Sequence, residues 1–273
     1  MTSNALDQRT SNEHLLSALP SDDRLAGCTA IVTGSSSGIG EAIARVLAAS
    51  GAHVVVTGRD AERAARVVDI VTARGERATA VTADLAAAPD ELRDFARRAT
   101  EALGGRVDIL VNNAAVYPAG PTEGVADDVL DAVLATNIRA PHVLMAQLAP
   151  AMVERGGGVV VNIGSWMGRV GVPLMALYPA TKAAIEQLTR AWAAEYGPRG
   201  VRVAGVAPGG TATPGNAHAD AQLAAMSEAT PAGVAVRPID IARAVRYVVS
   251  DEGEFVFGAT IDVDGGLIAT RLR

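Results

Sequence analysis

The sequence predicts an α/β fold: a single domain on a doubly wound parallel sheet of about seven strands, with helices on both faces. Three observations carry this. Short apolar runs alternate with helical stretches from residue 27 onward. The length of 273 residues suits one large domain. The chain is 49% hydrophobic but only 3% aromatic, so its core must be built from Ala, Val, Leu and Ile, which suits close helix-on-sheet layers.

The elements follow in order. Residues 1–24 are polar and weakly patterned, and a flexible extension is expected there, with a short helix near 14–18. The catalytic unit is expected to run from 25 to 273. Strand 29–32 is followed by helix 38–50, strand 53–57, helix 61–74, strand 78–82 and helix 90–103. Strand 108–111 leads into a long helical stretch, 127–154, and then strand 158–163. Helix 178–196 is stopped by Gly197-Pro198 and followed by strand 201–206. A polar, Ala-rich insert fills 211–233, and helix 238–250 and strand 260–263 complete the pattern. In sheets of this kind ligands bind at the carboxyl ends of the strands, where every motif below falls.

Composition narrows the function. The formal net charge is −6 and no basic patch stands out, so a nucleic-acid partner is not expected. Cys28 is the only cysteine, which excludes an internal disulfide and fits a reducing cytoplasm. No apolar run reaches membrane-spanning length, and the polar start lacks a signal-like region, so no membrane association is expected. The four histidines are scattered without metal-ligand spacing, and no metal site is expected.

Thr33-Gly34-Ser35-Ser36-Ser37-Gly38-Ile39-Gly40 follows the first strand and opens the first long helix. Glycines at 34, 38 and 40 allow a tight turn and close approach of a pyrophosphate to the helix N-terminus. The spacing is neither G-x-G-x-x-G nor a Walker loop. At the end of the second strand, where an acid would grip a ribose 2′-hydroxyl, stands Gly58, followed by Arg59. Arg59 can clamp a 2′-phosphate, which favours NADP(H); the alternative is NAD(H), with Asp60 serving the ribose. Asp84 either meets the adenine amino group or caps the next helix.

Lys182 is the only lysine, and the other 23 basic side chains are arginine. It stands four residues after Tyr178, so on a helix the two share one face. A compact ammonium beside a phenol lowers the phenol pKa towards neutrality, which fits Tyr178 for proton transfer. Ser165 follows strand 158–163, from where it can converge with Tyr178 on one carbonyl oxygen; otherwise it is a turn residue. Asn137 lies within the long helical stretch, and Pro141 has no N–H for its carbonyl, which leaves an acceptor for water or an incidental kink.

Together these residues resemble the short-chain dehydrogenase/reductase family over about residues 25–267. The family's T-G-x-x-x-G-x-G turn corresponds to Thr33–Gly40, and its N-N-A-G segment to Asn112-Asn113-Ala114-Ala115, with Ala115 in place of Gly. Its P-G segment corresponds to Pro208-Gly209, and its V-D-G-G to Val263-Asp264-Gly265-Gly266. The resemblance implies a Rossmann-like fold and a catalytic set of Asn137, Ser165, Tyr178 and Lys182. Ser165 would polarise the substrate oxygen and Tyr178 would be the general acid or base. Lys182 would bind the nicotinamide ribose and depress the Tyr178 pKa, and Asn137 would hold a relay water. It further implies that Gly34, Ser36, Ser37, Gly38, Ile39, Gly40, Arg59, Asp84 and Leu85 bind cofactor, with Asn113, Ala114, Tyr178, Lys182, Pro208, Gly209, Thr211 and Thr213.

A substrate pocket is expected at Val116, Tyr117, Ser165, Trp166, Met167 and Tyr178, with Met175 and Leu177 in the same region. The aromatic members suggest an apolar or cyclic carbonyl or alcohol substrate. The insert at 211–233 resembles the family's substrate lid. By the same resemblance the chain is expected to form a homo-oligomer, a tetramer or a dimer, with the helices starting near Asp127 and Tyr178 at one interface. The expected activity is NADP(H)-dependent hydride transfer between nicotinamide and a ketone or secondary alcohol. An NAD-dependent alcohol dehydrogenase is the alternative. A silent dinucleotide-binding regulator would lack part of the catalytic set, which is whole here.

Overall fold

The central strands are near-continuous apolar runs because helices cover both faces of the sheet, whereas the two edge strands are more polar and more exposed. A computed structural model of the chain describes residues 12–270. It contains β1 (Thr29–Val32), β2 (His53–Val56), β3 (Arg77–Ala80), β4 (Ile109–Asn112), β5 (Gly158–Ile163), β6 (Val201–Pro208) and β7 (Thr260–Val263). All pairs are parallel, in the order β3-β2-β1-β4-β5-β6-β7. The chain reverses its direction of sheet growth between β1 and β4. That switch point opens a crevice at the strands' carboxyl ends.

The helices are α1 (residues 12–17), α2 (Gly38–Ala49), α3 (Ala61–Thr72), α4 (Pro89–Ala102), α5 (Asp127–Leu134), α6 (Ala140–Glu154), α7 (Leu177–Tyr196), α8 (Asp220–Glu228) and α9 (Pro238–Val249). One core lies under α2, α3 and α9, with Ile43, Leu47, Val67, Ile239 and Val245 packed on Val54 and Val206. The other lies under α4, α6 and α7, with Leu92, Phe95, Leu144, Met152 and Trp192 packed on Leu110 and Val160.

Two expectations are corrected. Residues 12–24 are not a loose extension; the part of that expectation covering residues 1–11 lies outside the described residues. Leu16, Leu19 and Leu25 are buried in the first core. Asn12 Oδ1 accepts from the Ile239 N–H at the start of α9 (3.0 Å), and Glu13 pairs with the buried Arg45 of α2 (3.0 Å). Arg74 of α3 donates to the carbonyls of Ser17 and Leu19. Three buried leucines, each worth about 1.5–3 kcal/mol of transfer free energy, outweigh the ordering of a short segment. The stretch 127–154 is not one regular helix either. Residues Ala135–Arg139 form a π-turn in which the Ala140 N–H donates to Ala135, five residues back. The extra residue rotates Asn137 into the protein interior.

Candidate active site

The glycine-rich turn is shaped by close approach. A Cβ at Gly34, whose φ is +64°, would stand 2.9 Å from Ala114 Cα, and one at Gly40 would collide with the Gly34 carbonyl. Thr33 and Asn113 fasten the turn. Thr33 Oγ1 accepts from the Asn113 and Ala114 N–H groups, while Asn113 Nδ2 donates to the carbonyls of Thr33 and Gly34. Asn113 therefore holds the cradle from behind. Ser37, the N-cap of α2, makes no side-chain cap bond, so the first N–H groups of α2 keep their donating capacity for an anion.

At the end of β2, Arg59 makes no hydrogen bond or ion pair among the described residues. Asp60 is already engaged. It caps α3 through the Arg63 N–H (3.0 Å) and pairs with the Arg63 guanidinium (3.1 Å). A Cβ at Gly58 would collide with the Ser36 hydroxyl, so Ser36 and Arg59 flank the same spot. Asp84 caps its own turn through the Ala86 N–H (3.0 Å) rather than α4, which begins at Pro89.

At the other end, β5 delivers Ser165, whose Oγ accepts from the Met167 N–H (3.2 Å) as it caps the short 3-10 turn Trp166–Arg169. The same hydroxyl is a near neighbour of the Tyr178 phenol and favours its ionised form. Ser165 is thus a turn cap, and it also faces the same cleft as Tyr178. Arg169 anchors this turn by bonding Glu186 of α7 (3.0 Å) and Asp262 of β7 (2.7 Å), a support that sequence reasoning missed. Lys182, one turn after Tyr178 on α7, is buried; its Nζ donates to the Ile163 carbonyl (2.7 Å) and lies 5.7 Å from the Tyr178 ring centre.

The expected electrostatics are corrected here. Burial pushes the Tyr178 phenol up to about 12; Ser165 pulls the other way, and Tyr117 adds to the rise. Burial also lowers the Lys182 ammonium to about 8. In the protein alone, desolvation is the largest influence on both groups.

Asn137 does not line the cleft. Its Oδ1 accepts from the Val116 N–H, and its Nδ2 donates to the Val116 carbonyl (2.9 Å each) and to Thr181 Oγ1 (3.0 Å). Thr181 in turn donates to the Tyr178 carbonyl (2.7 Å), so the set is joined through a threonine that sequence reasoning missed.

One cleft of about 780 Å3 is lined by all the expected cofactor residues, from Gly34 and Arg59 to Pro208 and Thr213. Val116, Tyr117, Ser165, Trp166, Met167, Met175 and Tyr178 line it as well, whereas Leu177 does not. Gln222, Leu223 and Met226 of α8 were missed. Thr211 Oγ1 donates to the Gly209 carbonyl, and Thr213 Oγ1 bonds the Asn216 amide oxygen, so both hydroxyls serve the chain's own turn.

Comparison with known proteins matches this geometry. The family model for short chain dehydrogenases matches residues 28–224. An A-factor type gamma-butyrolactone 1′-reductase (1S-forming) of Streptomyces virginiae is 38% identical over 244 residues, covering 87% of this chain and 94% of that protein. A gluconate 5-dehydrogenase from Burkholderia cenocepacia J2315, solved with NADP and tartrate, superimposes with a TM-score of 0.85 at 33% identity, covering 91% of this chain and 98% of that one. A short chain dehydrogenase from the same organism, solved with NADP, gives 0.81 at 41% identity, covering 89% and 99%. The chain belongs to the short-chain dehydrogenase family of oxidoreductases.

Proposed function

We propose that this chain is an NADP(H)-dependent oxidoreductase that interconverts a ketone and a secondary alcohol. The observation that carries the reading is that one cleft joins a glycine cradle and an unpaired Arg59 at one end to Ser165, Tyr178 and Lys182 at the other. A pyrophosphate fits the uncapped N-terminus of α2, and a 2′-phosphate fits Arg59 and Ser36, whereas Asp60 is spent on α3. The two structural relatives solved with NADP support the same cofactor.

Bound NADP(H) supplies the hydride in reduction and accepts it in oxidation. Ser165 holds the substrate oxygen with the hydroxyl that the Met167 N–H has already oriented. In reduction the C=O π bond breaks, a C–H bond forms at carbon, and the oxygen takes the proton of Tyr178, which solvent replaces. In oxidation Tyr178 receives that proton instead. Burial keeps the phenol protonated at neutral pH, the form that donates. Lys182, fixed on the Ile163 carbonyl, holds the nicotinamide ribose and, when protonated, eases loss of the Tyr178 proton. The Asn137 carboxamide is taken up by Val116 and Thr181, so a water relay at this position uses its main-chain carbonyl, to which Pro141 offers no N–H.

The apolar and aromatic lining of the cleft supports a substrate with an apolar or cyclic body. We also propose a cytoplasmic homo-oligomer, a tetramer or a dimer. Among the described residues no helix is long and apolar enough to cross a membrane. The test is a panel of cyclic and aryl ketones assayed with NADPH and NADH at one salt concentration. Turnover of at least one ketone, faster with NADPH, is expected. Turnover only of the alcohols, and with NAD+, would replace this reading with an NAD-dependent alcohol dehydrogenase.

A further inference from the structure

The two ends of the cleft differ in charge. Arg59, Asp60, Arg63 and Asp84 all lie at the dinucleotide end. Beyond Tyr178, the described lining is Tyr117, Trp166, Met167, Met175, Leu223 and Met226, together with small or uncharged residues. Three of the chain's six methionines stand in this wall. Among the described residues, Lys182 is the one charged group at this end. It is buried on the Ile163 carbonyl behind the Tyr178 ring, where it has no reach for a distal substrate group. Burial raises the Tyr117 phenol, so it too is neutral.

The lid is seated on this wall. A Cβ at Gly210 would stand 2.7 Å from Leu223 Cδ1 and collide with the end of Met226, so α8 rests directly on the backbone that follows β6. A Cβ at Gly215 would collide with the Tyr117 hydroxyl, and the Tyr117 ring meets Tyr178 edge to face at 5.9 Å. A substrate bound here is covered by Leu223 and Met226 and walled by Tyr117. A carboxylate in that space would lose its water and gain no counter-ion among the described residues. An apolar body gains burial against thioethers that adapt to its shape.

We propose that the site takes uncharged ketones and secondary alcohols with an apolar body and rejects their carboxylate-bearing counterparts. The inference rests on the hydride-transfer reading above, and goes beyond it by fixing the charge class of the substrate. It separates this chain from acids of the gluconate type, named for the Burkholderia cenocepacia relative. The Tyr117 hydroxyl, without a partner among the described residues, is free to meet one neutral polar group of the substrate.

The test uses three ketones of matched size with the full chain and NADPH: 4-ethylcyclohexanone, methyl 4-oxocyclohexanecarboxylate and 4-oxocyclohexanecarboxylate. The first two should agree in kcat/KM within about tenfold, and the acid should fall at least about a hundredfold below them. In parallel, dead-end binding of the three corresponding alcohols to the NADPH complex is measured by calorimetry. The acid alcohol should bind at least about tenfold more weakly than the ester. Met226→Arg and Met175→Arg each place a cation in the wall and should narrow the acid-to-ester ratio by about tenfold. An acid that matches the ester in binding overturns the inference whatever the turnover. A ratio unmoved in both variants also overturns it, because the wall would then not face the substrate. If none of the ketones turns over but the binding order holds, the charge class stands and the hydride-transfer reading fails instead.

Discussion

Tyr178 and Lys182 titrate in opposite senses from their ordinary values, and that sets a pH signature. Ketone reduction needs a protonated phenol, which burial maintains up to about pH 12, and a protonated ammonium, which burial allows only below about pH 8. Reductive kcat/KM should therefore hold at low pH and decline as pH rises through about 8. Alcohol oxidation, which needs the phenolate, should rise with pH instead. A pH–rate profile in both directions checks this, and a reductive rate that climbs above pH 8 would refute it. Tyr178→Phe should lose at least about a thousandfold in kcat while NADPH affinity stays within about twofold. At the dinucleotide end, Arg59→Ala should lower the NADPH-to-NADH ratio of kcat/KM by about tenfold, mostly through KM. Arg59 is exposed, so added salt should erode the wild-type preference and leave the variant unmoved. The converse substitution, Gly58→Asp, displaces the Ser36 hydroxyl, so Arg59→Ala is the cleaner probe.

The elements that sequence reasoning recovered are those whose signal is local. The central strands are short apolar runs, α7 ends where Gly197-Pro198 requires, and the spacing of Tyr178 and Lys182 is itself the helical period. The elements it missed depend on distant partners or mixed patterns. α8 has no separate signal within the polar, Ala-rich insert because its alanines blur the apolar face that Leu223 and Met226 turn to the cleft. The π-turn has no sequence signal beyond Asn137 and Pro141, and those fit a kink equally well. The N-terminal segment finds its partners far away; Asn12 meets Ile239 across 227 residues, which no local pattern encodes. Its packing has a measurable consequence. Leu16→Ala should destabilise the fold by about 2–4 kcal/mol and lower the melting temperature by about 5–15 °C. Unchanged melting would mean that the segment is not docked in solution.

For the molecule as a whole, the apolar surface points to self-association. Leu130 and Leu134 are exposed on α5, and Phe255, 88% exposed, lies near Phe257 just before β7. A lone chain has little reason to hold a phenylalanine in water, and the proposed homo-oligomer, a tetramer or a dimer, gives such patches a partner. Light scattering at micromolar concentration should give about four times, or for a dimer about twice, the chain mass of 27.9 kDa, and Phe255→Asp should reduce it to a smaller species. A wild-type mass of one chain would refute this.

The solitary lysine also decides how the surface reacts. Lys182 is the one side-chain primary amine in the sequence, and its Nζ is locked on the Ile163 carbonyl. Amine-directed esters at neutral pH should therefore leave the side chains of the folded chain unmodified and spare turnover. The same reagent becomes a reporter of breathing at the cleft. Slow inactivation, with a label mapped to Lys182 and suppressed by NADPH, would time the opening of the α7–β5 contact. Rapid stoichiometric acylation of Lys182 would show that this amine is not sequestered at all.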